Sequence, residues 1–151
     1  MSIWPKLSQV GCAGKIVAFQ ETADNRYLIT LQGVCRFRLT GEMNSVTAWR
    51  AGFCDFAAFA GDLAENAGDE LPRERLLSAL KTYLTSRDMQ ADWSSVLTAP
   101  AEALVNALAM MCPFAPVEKQ ALLEAESFYE RASTLLALLE MGSEAGPTTV
   151  N

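Results

Sequence analysis

Residues 26–39, RYLITLQGVCRFRL, alternate with a period of two: Tyr27, Ile29, Leu31, Cys35, Phe37 and Leu39 are apolar at odd positions. Arg26, Thr30, Gln32, Arg36 and Arg38 occupy even ones, with Leu28 and Val34 as exceptions. Such alternation specifies a half-buried β-strand and excludes a helix. After residue 70 the period changes. Leu76, Leu77, Leu80, Tyr83 and Leu84 recur at helical spacing and form one amphipathic stripe. The chain must therefore join a short β-unit to a set of helices, an α+β architecture.

The β-unit reads as a hairpin. Val10–Gln20 and Arg26–Thr40 flank ETADN, whose Asp24-Asn25 supplies turn chemistry. One register sets Gln20 opposite Tyr27, Ile16 opposite Leu31, Gly14 opposite Gly33 and Cys12 opposite Cys35. It gathers Val10, Cys12, Ile16 and Ala18 on the face of the odd apolar residues of the second strand. The facing glycines predict a bend, a bulge or a close backbone approach. Val46–Ala51 is a candidate third strand, and Arg36 and Arg38 are expected on the outward, solvated face.

The helical part divides at its prolines. A first helix follows Pro72, and a short turn ends at Thr98, read as an N-cap ahead of Pro100. Leu104, Leu108 and Met111 define the next helix, Pro116 opens another across 117–125, and Phe128, Ala132, Leu135 and Leu139 carry the last to Gly142. Trp93 with Leu97, and the stripes of LVNALAMM and EKQALLEA, are expected to pack inside the bundle, with Asn106 a satisfied amide. These readings give a β subdomain over 1–54, a bundle of four to five helices over 55–142 and a disordered tail over 143–151.

Composition removes several functions. With 12 Lys and Arg against 18 Asp and Glu, the net charge of −6 disfavours phosphate backbones and anionic lipid. No apolar run approaches the roughly 20 residues of a membrane span, and no signal peptide opens the chain, so a cytoplasmic location is expected. The complete absence of histidine excludes a Ser-His-Asp triad, a Cys-His pair and a His-ligated metal. Cys12, Cys35, Cys54 and Cys112 form no C-x-x-C pair and read as small buried hydrophobes. GCAGK lacks phosphate-loop spacing, Ser78 with Lys81 is an exposed helical pair, and Glu118, Glu124 and Glu126 spread over more than one side of a helix. No enzyme, no cofactor and no metal are expected.

Two stretches carry a family resemblance. VGCAGKIVAFQETADNRYLITLQGVCRFRL (10–39) resembles the middle strands of the LON substrate-binding domain, the N-terminal domain of Lon proteases. ALVNALAMMCPFAPVEKQALLEAESFYERASTLLALLEM (103–141) resembles its helical half in stand-alone bacterial members, with DFAAFAGDL and ADW between them in order. The likeness implies an incomplete PUA-like antiparallel β-unit followed by a helical bundle. It implies contact with unfolded or damaged polypeptide, or a protein partner, in protein quality control, without the ATPase and protease domains of full-length Lon. Family members open with a further apolar strand block and a helix; this chain starts at MSIWPKLSQV, so the opening part of the domain is read as missing.

The residues expected to bind are Trp49, Phe53, Phe56 and Phe59, an apolar group, with Arg36 and Arg38 beside them. The competing reading is an RNA-binding PUA-like module, which a positive groove through Arg26, Arg36 and Arg38 would support. An exposed low-pKa thiol in a cleft would instead point to a cysteine hydrolase. The edge left open on the first strand predicts a homodimer through the β-unit, with Trp4 as an anchor.

Overall fold

The computed structural model describes residues 5–44, 46–64 and 71–144, and the chain forms two compact units that divide between residues 65 and 66. The first unit is a three-stranded antiparallel sheet in the order β1-β2-β3, with β1 over Val10–Glu21, β2 over Tyr27–Met43 and β3 over Ala51–Asp55. The third strand begins where the expected one, Val46–Ala51, was to end. A 3-10 segment kinked at Phe59, Ala57–Leu63, follows it and contacts β2. Sequence reading placed residues 55–63 with the helices; the chain packs them with the strands.

The hairpin loop is closed locally. Thr22 N–H donates to the Arg26 carbonyl at 2.8 Å, Asn25 N–H donates to Thr22 O at 3.1 Å, and the Thr22 hydroxyl bonds Asp24 Oδ1. Asn25 takes φ 59°, the left-handed region that asparagine tolerates better than most residues.

Register follows the expected pairing over only part of its length. Ile16 faces Leu31 and Gly14 faces Gly33 as read from sequence, but Glu21 faces Tyr27, and Cys12 faces Arg36 with Cys35 facing Ala13. Two bulges account for the difference. Val17 is the extra residue of β1 and Val34 that of β2. Each shifts the side-chain alternation of its own strand by one. Ala18 therefore leaves the face of Ile16 and Phe19 joins it. By the same shift Arg36 and Arg38, opposite Cys12 and Val10, fall on the face of Leu31 instead of the outward one. Further along, a Cβ at Gly11 would lie 2.6 Å from the Phe37 ring, so only glycine lets that ring lie across β1.

The second unit holds five helices among the described residues: α1 Arg73–Ser86, α2 Trp93–Thr98, α3 Ala101–Met111, α4 Pro116–Glu124 and α5 Phe128–Glu144. Their apolar stripes meet in one core of Leu76, Leu80, Tyr83, Leu104, Leu108 and Leu135, among others. The Tyr83 and Phe114 rings stand 5.8 Å apart, and Gly142 leaves room for Tyr83, where a Cβ would lie 2.6 Å from the ring. Trp93 packs against this core, as expected, but Leu97 and Met111 are exposed. Asn106 Oδ1 accepts from Arg131 Nη1 at 2.9 Å. Thr98 is no N-cap for α3; its hydroxyl bonds back to Ser94 O at 2.9 Å within α2. Ser143 and Glu144 are helical, and the rest of the expected tail lies outside the described residues.

Two outcomes follow from this packing. Leu108→Ala should destabilise the helical unit by roughly 2–5 kcal/mol, read by denaturant unfolding, because it deletes a buried side chain from a packed core. Asp92 caps α2 and accepts from the Ser94 and Ser95 hydroxyls, each at 2.6 Å. Those bonds and the Ser95 amide hold its carboxyl down to about 2, from an ordinary 3.8. A depressed carboxylate stabilises the fold above its unfolded value. The contribution should therefore be intact above about pH 4 and disappear towards about pH 2. Thermal melts across that window should lose this component in Asp92→Ala.

Candidate binding surface

β3 is only five residues long and pairs with β2 from Arg38 to Met43. Below Arg38 the β3 side of β2 would present bare backbone groups, which are costly to bury without partners. The 3-10 segment takes that place. Asp62 Oδ2 accepts from the Arg36 backbone N–H at 3.0 Å, the bond a longer third strand would have made. The same carboxylate clamps the Arg36 side chain, with Nε to Oδ2 at 2.8 Å and Nη2 to Oδ1 at 2.7 Å. The guanidinium lies 4.4 Å from the centroid of the Phe59 ring, and that of Arg38 5.7 Å. The Cys35 thiol reaches the Phe59 carbonyl at 3.5 Å.

This packing corrects two of the expected contact residues. Arg36 is 5% exposed and Phe59 2%, so neither presents itself to a partner; both hold the segment on the strand. Arg38 is half-buried beside them. Trp49, at 69% exposure, and Phe53 and Phe56 are on the surface, and Phe56 packs its ring 5.8 Å from that of Phe37. Nearby, Arg50 forks onto Glu42 through two bonds of 2.7 Å, which lower the Glu42 carboxyl and raise the Arg50 guanidinium.

A larger apolar surface lies on the other half of the hairpin. Beyond Gly14 and Gly33 the sheet is a two-stranded ribbon. Antiparallel partners share a face, so Ile16 with Leu31 and Phe19 with Ile29 line one side, and Tyr27 stacks on Phe19 at 5.0 Å. All five are exposed, Phe19 to 63%. The opposite side carries Lys15, Ala18, Gln20, Leu28, Thr30 and Gln32. The ribbon is amphipathic, and its apolar side faces solvent. The alternation alone places Ile16 with Tyr27, Ile29 and Leu31 on one apolar face expected to be covered, with Ala18 where the bulge brings Phe19. The signal that they are uncovered was the shortness of the third strand.

Burial pushes the Cys35 thiol up, as does the neighbouring Asp62 charge, and burial likewise raises the Cys112 thiol. A thiol raised in this way is a poor nucleophile. Among the described residues no three Cys, Asp or Glu side chains gather to hold a metal ion, and no helix is long and apolar enough to cross a membrane.

A three-stranded antiparallel sheet with a bulged hairpin, followed by a unit with five helices among the described residues, makes an α+β domain. A solved Lon N-terminal domain protein from Xanthomonas campestris has the same fold, with a TM-score of 0.61 at 20% identity, over 86% of this chain and 68% of that one. The family model of the ATP-dependent protease La (LON) substrate-binding domain matches residues 5–141. The chain belongs to the LON substrate-binding domain family. That domain is a non-catalytic module. No curated protein matches the chain at a significant level.

The buried pair yields a stability test. Asp62→Ala strands a buried guanidinium and an edge N–H, and should destabilise the first unit by about 3–5 kcal/mol. Glu140→Ala, which removes an exposed partner of Arg75 at 2.9 Å, should change stability by less than about 1 kcal/mol. Equal effects in chemical denaturation would contradict the role given to Asp62.

Proposed function

We propose that the chain is a non-catalytic polypeptide-binding module that recognises unfolded or damaged protein segments in cytoplasmic quality control. The observation that carries this reading is the solvent-facing apolar side of the ribbon, from Ile16 and Phe19 to Leu31, in a chain of the LON substrate-binding family. Unfolded segments differ from folded proteins chiefly in exposing apolar side chains. An apolar hairpin face rewards apolar contact without demanding one sequence. Trp49, Phe53 and Phe56 supply further exposed aromatic contacts in the same unit.

The RNA-binding reading loses its main support. Arg36 is neutralised by Asp62, and Arg26 lies 3.2 Å from Asp24, so neither adds to a positive groove. An acidic chain without a basic stripe gains little from phosphate contacts.

Fluorescence anisotropy with a labelled, reduced and alkylated α-lactalbumin tests the proposal, with the native form of the same probe as control. The wild-type chain should bind the unfolded form in preference. Ile29→Asp should weaken binding by about tenfold or more, since it puts a charge at the centre of the contact. Equal binding of native and unfolded probe, or indifference to Ile29→Asp, would refute the assignment.

A further inference from the structure

We propose that the apolar side of the ribbon is also the self-association surface of this chain, covered by the same face of a second copy. The inference rests on the ribbon used for polypeptide binding, but not on any client. A two-stranded hairpin is marginally stable alone, and three or more strands or a packed face are normally required. Here residues 14–21 and 27–33 have no third strand beside them among the described residues, and their apolar side is open.

Size favours a second copy as the occupant. Ile16, Phe19, Tyr27, Ile29 and Leu31, each about half exposed, present on the order of 600 Å². Two such faces in contact remove about 1,200 Å² from water, the lower end of the range for specific interfaces. The predicted complex is therefore a weak, reversible dimer. Composition favours it as well. The contact face carries one charge, Glu21, at its end beside the loop, while Lys15 projects on the other side. Face-to-face stacking keeps charge at the rim and joins apolar to apolar side chains, as between sheets in a sandwich.

The structure selects the face over the edge. The open edge of β1 is interrupted by the bulge at Val17, and bulges obstruct continuous edge pairing. The expected anchor Trp4 lies outside the described residues. A dimer through the apolar face also competes with a client for the same side chains. Self-association would then keep the binding surface covered until a client displaces the partner copy.

Sedimentation velocity of the full chain from micromolar to millimolar concentration tests this. The mass should pass from monomer to dimer. Ile29→Asp should raise the dimer dissociation constant by about tenfold or more. Leu28→Asp, at a still more exposed position on the polar side, should change it by no more than about twofold. Leu31→Thr retains strand propensity and should also weaken the dimer, with circular dichroism confirming a native fold. The wild-type chain gives an independent readout: methyl resonances of Ile16, Ile29 and Leu31 should shift with concentration while those of Leu28 remain fixed. A chain that stays monomeric at millimolar concentration overturns the inference. So does a dimer broken by Leu28→Asp and not by Ile29→Asp. Client binding measured below the dimerisation range is unaffected by either result, so the two assignments fail separately.

Discussion

The first unit depends on a guanidinium that has been taken out of water. A charge in that position is tolerated only with an opposite charge and with its hydrogen bonds satisfied. Asp62 supplies the opposite charge and accepts from Nε and Nη2 of Arg36, and the Phe59 ring lies 4.4 Å from the cation. Because the same carboxylate accepts the Arg36 backbone N–H, it also ends the sheet edge that β3 leaves unfinished. One acidic side chain thus joins a 3-10 segment to a strand and closes the backbone accounts on that side. Further down the strand no comparable device appears among the described residues, and the ribbon begins.

Two bulges decide what the ribbon presents. A regular hairpin would put Ile16 and Phe19 on opposite sides, since they are three residues apart. The extra Val17 brings them together, and Val34 carries the alternation of β2 over before Arg36. The first shift concentrates apolar side chains on one side. The second aligns the two arginines with that side, where Arg36 turns to meet Asp62. Val17 gives no sign of itself, because valine is an ordinary strand residue, and Val34 shows as one of two exceptions to the alternation without revealing a bulge. Only the facing glycines, 14 and 33, signalled the one near Val34. That is why the strands, the loop and the central pairing of Ile16 with Leu31 were legible, while the positions of Arg36, Phe19 and Cys35 were not.

The helices were easier to read, for a related reason. Each apolar stripe in the second unit identifies its own inward side, and Leu80, Leu108, Leu135 and Leu139 are buried as the spacing requires. Errors fall at helix ends. Met111 belongs to the stripe of α3 by count but lies in its final turn and is exposed. Thr98 has the chemistry of an N-cap, yet its hydroxyl is already engaged within α2, while Asp92 performs the capping one helix earlier. Local hydrogen-bond competition of this kind cannot be resolved from residue type alone.

The candidate site was legible as chemistry but not as geometry. Alternation tells which residues share a side, not what covers that side; Phe59 and Phe19 look alike in sequence and are buried and exposed respectively. The distinction comes from the length of β3 and from the segment after it, which shield only the end of β2 near Arg36. The outcome has a functional logic. A ribbon whose backbone is hydrogen-bonded within itself can offer apolar side chains with little ordering left to do on contact, so less of the contact energy is lost to entropy. Such a surface suits partners that share apolar character and little else. Under the proposed function it would also have to be guarded, because a surface open to many polypeptides would be open to another copy of the chain. In the proposed pairing contact area would decide the balance, since about 600 Å² per copy matches reversible and not permanent association. A surface of that size can be covered when no client is present and still be available when one arrives.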